Sequence, residues 1–392
     1  MSFDDLDLTW LRRRTSVKWT KYGADVLPLF VAEMDFPLAE PIRRVLHELI
    51  DLGDTGYPVG TAHVAAYARF AERRFGWAVD TDLASTVPDV MTGVEAALVQ
   101  LTEPGDPVAF FMPAYPPFFV AVETTRRAVA GVPLAADAEV GWTVDGDALA
   151  ASLRAGAKAI LLCNPHNPTG RRFTRDELGV VAELADRHGV PVISDEIHST
   201  LILDRAAGPH VPFATLDAEA AAGSVGLHSA SKGWNLPGLK AAVMVAGGQA
   251  TRKRFDPAGL AELEERAGIL GVAAATVAFD EAEPWLDDVV DYVAANHRLV
   301  REELPRALPG ARVTRPEATY LAWLDLREVA ALGDGEPAGV LLDRARVALV
   351  PGPAFGAQYR GFARLNVATS AAILREGIDR MGTAVRSGRL DG

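Results

Sequence analysis

The run Lys158–Asp195, KAILLCNPHNPTGRRFTRDELGVVAELADRHGVPVISD, decides the fold. It opens on Lys158-Ala-Ile-Leu-Leu162, an apolar stretch long enough for a buried strand. A loop rich in Pro, Asn and Gly follows, Asn164 to Gly170. Thr174-Arg-Asp-Glu177 is then a capping box, with Thr at the N-cap and Glu three residues on. Leu178, Val181, Leu184 and Ala185 recur at helical spacing, and Gly189 stands where a left-handed terminating glycine belongs. Val190-Pro-Val-Ile-Ser194 reads as the next strand, with Asp195 at its end. Strand, helix and strand in this order make a βαβ unit and predict a parallel or mixed sheet.

The same grammar extends outward. Thr92-Gly-Val-Glu95 resembles a second capping box and predicts a helix to about Thr102, followed by a turn and a strand at Val108–Phe111. Ser224–Leu227 and Ala241–Ala246 read as further strands. Past Glu281-Ala-Glu-Pro284 the pattern changes to a helix over about Trp285–Leu304. Alternation over Arg312–Leu326, a strand candidate at Phe362–Ala368 and a last helix capped by Ser370 follow. The expected organisation is an N-terminal arm with part of a small domain (1–45), a large domain (46–284) and a small α+β domain (285–392). Open α/β sheets collect ligands outside the carboxyl ends of their strands. The loops after Leu162, Ser194 and Leu227 are therefore expected to converge on one site.

Composition narrows the class. The 392 residues carry a formal net charge of -13, which disfavours a nucleic-acid partner. The densest basic cluster, Arg12-Arg13-Arg14, reads as a helix surface. Cys163 is the single cysteine, so neither a disulfide framework nor a Cys-rich metal site is expected. Met1-Ser-Phe-Asp-Asp5 is acidic and lacks a signal-peptide pattern. The longest apolar run, Ala267–Phe279, falls short of the ~20 residues that span a bilayer. The reading is a soluble, cytoplasmic protein with no membrane contact and no metal.

Four separated pieces could carry chemistry together. Ser229-Ala-Ser-Lys232-Gly-Trp-Asn-Leu-Pro-Gly238 places a lysine among small hydroxyl residues after a strand, where it can approach a phosphate and form an imine. Most lysines are solvated surface groups, so this piece alone is weak. Ser194-Asp195-Glu196-Ile197-His198 sets at a strand end a carboxylate that could pair with a pyridinium nitrogen, or simply cap a helix. Asn164-Pro-His-Asn-Pro-Thr-Gly170 is an irregular loop in which Asn167 could donate to a phenolate oxygen. Arg364-Leu-Asn366 offers a guanidinium fork suited to a carboxylate, although a surface ion pair is the commoner fate of a single Arg.

In this order the four motifs resemble the fold-type I pyridoxal 5'-phosphate (PLP) enzymes of the aminotransferase class I/II group, from about Val31 to the C-terminus. Ala32-Glu-Met-Asp-Phe-Pro37, Cys163–Gly170 and Ser194–His198 are similar to segments of the MalY/PatB family of cystathionine β-lyase-like C–S lyases. Two departures stand out. Glu33 replaces the usual Asp, and Lys240 occupies a position where aminotransferases often carry a phosphate-binding Arg. The implied fold is α/β, a large domain with a mostly parallel sheet sandwiched by helices plus a smaller α+β domain.

The resemblance also implies residue roles. Lys232 holds PLP as a Schiff base and accepts the Cα proton. Asp195 keeps the ring nitrogen protonated, and Asn167 bonds the ring oxygen. His198 either stands behind that oxygen or is simply packed. The N–H groups of Gly93 and Val94 receive the phosphate at a helix start, with Ser229 adding a hydroxyl and Ser231 and Lys240 further candidates. Tyr115 stacks on the ring, Arg364 receives the substrate carboxylate, and Tyr57 reaches the phosphate of a neighbouring subunit in a homodimer. The implied reaction cleaves cystathionine or another cysteine S-conjugate to a thiol, pyruvate and ammonia. An aminotransferase, a deaminating or decarboxylating enzyme of secondary metabolism, and a lyase with an added protein-binding regulatory role remain open at this point.

Overall fold

The computed structural model describes residues 3–137 and 141–387. Met1 and Ser2 of the acidic start lie outside them, as do residues 388–392 of the small domain. The described chain divides into two compact units. One comprises Leu38–His166 and Arg171–Asp287; the other comprises the N-terminal residues to Pro37, Asn167–Gly170 and the chain from Asp288 on.

The larger unit is built on a seven-stranded sheet. Its order is Ala84–Val87, Ala242–Ala246, Val225–His228, Val192–Asp195, Ala159–Cys163, Pro107–Met112, Ala128–Pro133. Only Ala242–Ala246 runs antiparallel to its neighbours, so the sheet is mixed and the fold is α/β. The βαβ reading holds closely. The strands are Ala159–Cys163 and Val192–Asp195, and the helix between them is Arg175–His188. Thr174 and Glu177 form the capping box, with Thr174 Oγ1 accepting the Glu177 N–H and the Glu177 carboxylate accepting the Thr174 N–H. Gly189 ends the helix at φ +63. Leu178, Val181 and Ala185 pack with Ile160, Leu162 and Val192 in one buried cluster. Each large side chain buried this way contributes roughly 1.5–3 kcal/mol.

The helix predicted from Thr92 begins earlier, at Val90. Asp89, not Thr92, is the N-cap: its Oδ1 accepts the Thr92 N–H at 2.8 Å. Gly93 therefore lies inside the first turn and lets the helix press on the sheet. A Cβ there would lie 2.4 Å from Leu227 Cδ2. Gly93→Val is expected to destabilise the protein by about 1–3 kcal/mol through this overlap. Urea unfolding with an unchanged midpoint would contradict that packing.

The smaller unit carries an antiparallel sheet in the order Arg312–Val313, Leu321–Asp325, Phe362–Asn366, Val350–Pro351. Trp323, fully buried, stacks on Phe362 with ring centroids 5.3 Å apart. Leu27–Pro28 pairs in parallel with Val347–Ala348 and ties the N-terminal segment to this unit. Ser370 caps the last helix, Ala371–Ser387, by accepting the Ile373 N–H. Among the described residues no helix is long and apolar enough to cross a membrane.

Candidate active site

In the larger unit, register brings three strand ends side by side. Cys163 pairs with Asp195, and Asp195 pairs with Leu227. The segments leaving these ends carry Asn164, Asp195 with His198, and Ser229 to Lys232. The convergence expected for these three loops is present up to His166, where this unit's share of the first loop ends.

Asp195 is 2 % exposed, and its Oδ1 accepts the Ile197 N–H at 3.1 Å. Burial pushes its carboxyl up to about 7, with Glu196 adding to the rise; the Ile197 hydrogen bond and the Lys232 charge act the other way. Such a carboxylate is short of positive charge. Lys232 sits in the short helix Ala230–Gly233, half-buried. Ser229 builds that helix start: its Oγ accepts the Ser231 N–H at 3.1 Å and donates to Ala241 O at 2.7 Å. The Ser229 hydroxyl proton, expected to be available for a phosphate, is thus used within the fold. Trp234 lies in the core rather than at a pocket wall. It is fully buried, edge-on to Phe70 and Phe279, and its Nε1 donates to Ala282 O at 2.9 Å.

Lys240 takes a left-handed backbone, φ +59, and its Nζ pairs with Asp89 Oδ2 at 2.9 Å. Burial disfavours the Asp89 charge, but the Thr92 N–H and Lys240 outweigh it and hold Asp89 below the usual carboxylate range. The Gly93 N–H donates to Asp89 O at 3.1 Å, and Val94 is buried one residue further into the helix. The Gly93 N–H, expected to receive a phosphate, is thus spent on Asp89 O, and Asp89 Oδ1 takes that of Thr92, so the first-turn donors ahead of them are those of Val90 and Met91. Tyr115 is the N-cap of Pro116–Thr124, half-buried and edge-on to Phe118. His198 is buried; Ser231 is half-buried. Tyr57 is 83 % exposed, on a loop between two other exposed apolar residues, Leu52 at the end of the helix Glu40–Leu52 and Val59.

Sequence reasoning missed a buried network on the opposite sheet face. Residues alternate across a strand, so Ser194 and Glu196 point away from Asp195. Glu196 accepts Ser194 Oγ at 2.9 Å, the Phe213 N–H at 3.0 Å and His210 Nε2 at 2.6 Å. Burial works against its charge, yet His228, His210 and these donors hold it below the usual range. His228 lies 3.9 Å from the same carboxylate, stacks on Tyr67 at 4.8 Å, and is pushed down to about 4 by burial. Only the Asp-Glu pair at a strand end hinted at this second carboxylate.

In the smaller unit, Arg364 and Asn167 meet. Arg364 Nη1 donates to Asn167 Oδ1 at 3.0 Å, and Nη2 donates to Phe30 O at 3.2 Å. The guanidinium lies 5.1 Å over Phe355. Because Asn167 spends its oxygen on Arg364, Nδ2 is left as its donor. Gly170, at φ +73, lets the loop end lie against Pro316; its O accepts the Glu317 and Ala318 N–H groups.

Arg14 and Lys18 were also misjudged or missed. Arg14, expected on a helix surface, donates to Met34 O at 3.1 Å and Asp35 O at 2.8 Å. Lys18 is buried and pairs with Asp35 Oδ1 at 2.9 Å.

A family model described as aminotransferase class I and II matches residues 32–381. A Mycobacterium leprae protein carrying a provisional cystathionine beta-lyase name is 43 % identical over 97 % of this chain and 98 % of its own. Cystathionine beta-lyase PatB of Bacillus subtilis is 35 % identical over 94 % of this chain and 96 % of its own. A crystal structure from Corynebacterium diphtheriae, provisionally named a PLP-dependent beta-cystathionase, has a TM-score of 0.90 at 34 % identity, covering 97 % of this chain and 98 % of that one. Similarity of this extent, end to end, means that the chain belongs to the aminotransferase class I and II family, on its MalY/PatB branch.

Proposed function

We propose that the protein is a PLP-dependent C–S β-lyase that cleaves cystathionine or a related cysteine S-conjugate to a thiol, pyruvate and ammonia. The observation that carries the reading is the buried Asp195 carboxylate, raised to about 7 and within electrostatic reach of Lys232. The donor set fits the cofactor. A primary amine is present to hold the aldehyde carbon, a charge-poor buried carboxylate to face a ring N–H, an aromatic face at Tyr115, and a helix start at Val90 for a phosphate. The names of the PatB and Corynebacterium relatives point the same way.

Bound PLP supplies a conjugated ring that takes up the electron pair left when Cα loses its proton. The chain's own groups do the rest. Lys232 Nζ holds the cofactor covalently, then accepts the Cα proton and returns it to the departing sulfur or to solvent. Asp195 keeps a positive charge on the ring nitrogen, its own carboxyl falling as that charge arrives. Arg364 receives the substrate α-carboxylate as a fork, and Asn167 offers Nδ2 as a donor. His198, Ser231 and Lys240 lie in the same unit as Lys232 and Asp195, and we assign them to supporting the cofactor; Ser229, Gly93 and Val94 serve it indirectly, by building the two helix starts. The single cysteine, Cys163, is buried, which suits a reducing cytoplasm.

With L-cystathionine and no keto acid, the holoenzyme is expected to release pyruvate and ammonia in equal amounts to the thiol. Turnover that appears only after a keto acid is added would replace this reading with an aminotransferase.

We also propose a homodimer in which Tyr57 serves the neighbouring copy. An exposed tyrosine flanked by Leu52 and Val59 is an expensive surface for a monomer to leave in water. Tyr57→Phe, which keeps the apolar contact, is expected to weaken PLP retention by about 10-fold through loss of one hydrogen bond. The dimer mass should not change. Dialysis of the variant against buffer, followed by cofactor absorbance, measures this; retention equal to wild type would remove Tyr57 from the phosphate site.

A further inference from the structure

The segment Phe30–Phe36 has an unusual solution to its backbone accounting. Buried carbonyls must be paired, and a strand would pair them with a neighbouring strand. Here side chains from elsewhere in the same unit do so. Phe30 O accepts Arg364 Nη2 at 3.2 Å, Val31 O accepts Asn366 Nδ2 at 2.6 Å, and Ala32 O accepts Tyr320 Oη at 2.9 Å. Glu33 O accepts Lys18 Nζ at 3.2 Å and Asn366 Nδ2 at 2.6 Å. Met34 O and Asp35 O accept the two arms of Arg14 at 3.1 and 2.8 Å, and Phe36 O lies 3.5 Å from the second arm. Every backbone carbonyl of the strap is thus held by a side-chain donor.

Three of those donors, Arg14, Lys18 and Arg364, are cations, and Lys18 is placed at a cost. The Lys18 and Asp35 side chains are each 1 % exposed and lie 2.9 Å apart. Removing two charges from water rarely adds net stability; an apolar pair of similar bulk serves as well or better. What an ion pair does add is a fixed geometry: Lys18 must reach Asp35 Oδ1 and Glu33 O at once, which sets the strap's position along its own axis. The strap in turn carries Phe30 O, one of the acceptors that orient Arg364, whose other arm rests on Asn167 Oδ1.

We propose that Lys18, Asp35 and Arg14 are positioning residues for substrate binding: they fix the Phe30–Phe36 strap, and the strap sets the Arg364 fork through Phe30 O. This rests on the reading of Arg364 as the receptor for the substrate α-carboxylate. None of the three residues touches substrate in this account. They act only through where they hold a carbonyl.

The test uses holoenzyme and a ligand pair that differs only in the carboxylate, S-ethyl-L-cysteine and S-ethylcysteamine. Binding of each is read from the cofactor's absorbance, and turnover of the first gives KM and kcat. The variant is Lys18→Met/Asp35→Leu, which removes both charges together and leaves neither buried alone. Arg364→Lys is the reference. A fork misplaced by about 1 Å is expected to raise KM for S-ethyl-L-cysteine by roughly 10–100-fold. Affinity for S-ethylcysteamine should stay within about 2-fold of the parent, kcat within about 3-fold, and the substrate-free spectrum unchanged. Arg364→Lys should weaken the same ligand selectively.

A double variant with parental KM, alongside a selective loss in Arg364→Lys, overturns the positioning role alone. If Arg364→Lys shows no selective loss, the carboxylate reading falls and the positioning role falls with it. Equal weakening of both ligands in the double variant also overturns it, because a general loosening does not distinguish a carboxylate. If the double variant does not fold, Arg14→Met, at a partly exposed site, carries the same expectations and the same overturning results.

Discussion

Lys232→Ala is expected to lose the covalent cofactor and to lower kcat/KM by about 10³-fold or more. The lysine has two jobs in the proposed reaction, and no neighbour can take over either. It holds the cofactor before substrate arrives, and its freed amine is the acceptor for the Cα proton. A positioned proton acceptor alone typically supplies 10²–10⁴-fold, and loss of covalent capture adds to that. The helix Ala230–Gly233 is capped by Ser229 rather than by Lys232, so the alanine variant should fold normally. Borohydride reduction followed by intact mass separates the two contributions. Wild type should gain one cofactor per chain and the variant none. A variant that still gains the adduct would show that another amine holds the cofactor.

Asp195→Asn is the second large effect, and it has opposite signs with and without cofactor. In the apoprotein, burial raises the Asp195 carboxyl from 3.8 to about 7. A group whose folded pKa exceeds its unfolded pKa gives stability that is complete below the unfolded value and is lost as pH rises through the folded one. The wild-type apoprotein should therefore lose up to about 4 kcal/mol of stability between pH 4 and pH 8 on account of this group. The substituted amide does not titrate, so the variant apoprotein should lack that decline and be the more stable form at pH 8. The holoenzyme reverses the order, because a ring cation beside the carboxylate returns its pKa toward or below the ordinary value. There the variant should be less stable, bind cofactor more weakly and turn over on the order of 10²–10³-fold more slowly, as when a fixed electrostatic partner is removed. Thermal unfolding of apo and holo forms across this pH range is decisive. Parallel apo curves for wild type and variant would mean that Asp195 does not carry the proposed charge relation.

The βαβ unit was legible because its signals are local. Thr174 and Glu177 cap within one turn, Gly189 stops the helix, and the apolar spacing between them is a single face. The start of the Val90–Leu101 helix shows how such signals fail. Thr92 and Glu95 have capping-box spacing, but Asp89 is the stronger acceptor and is itself steadied by Lys240. No rule of neighbouring residues reveals that pairing, since its partners are far apart in the chain. The same holds for Lys18 with Asp35, and for Glu196 with His210 and His228. Each is a contact between residues whose individual positions look ordinary, formed only when separate elements pack. Motif order marks Lys232, Asp195, Asn167 and Arg364 as candidates, and Arg364 with Asn167 share a hydrogen bond in the structure. Their partners Phe30 O and the Ile197 N–H are backbone groups, which no side-chain motif encodes.

The strap at Phe30–Phe36 separates shape from identity. Its path is dictated by donors that grip carbonyls, and every amino acid has the same carbonyl. Val31, Ala32 and Glu33, whose side chains are partly open to solvent, can therefore be exchanged without disturbing the path that Arg14, Lys18, Tyr320 and Asn366 impose. Proteins built this way offer evolution a place to try new side chains at little risk to folding. A library randomised at these three positions should yield mostly folded members, and an altered choice of thiol leaving group is the trait to screen for among them.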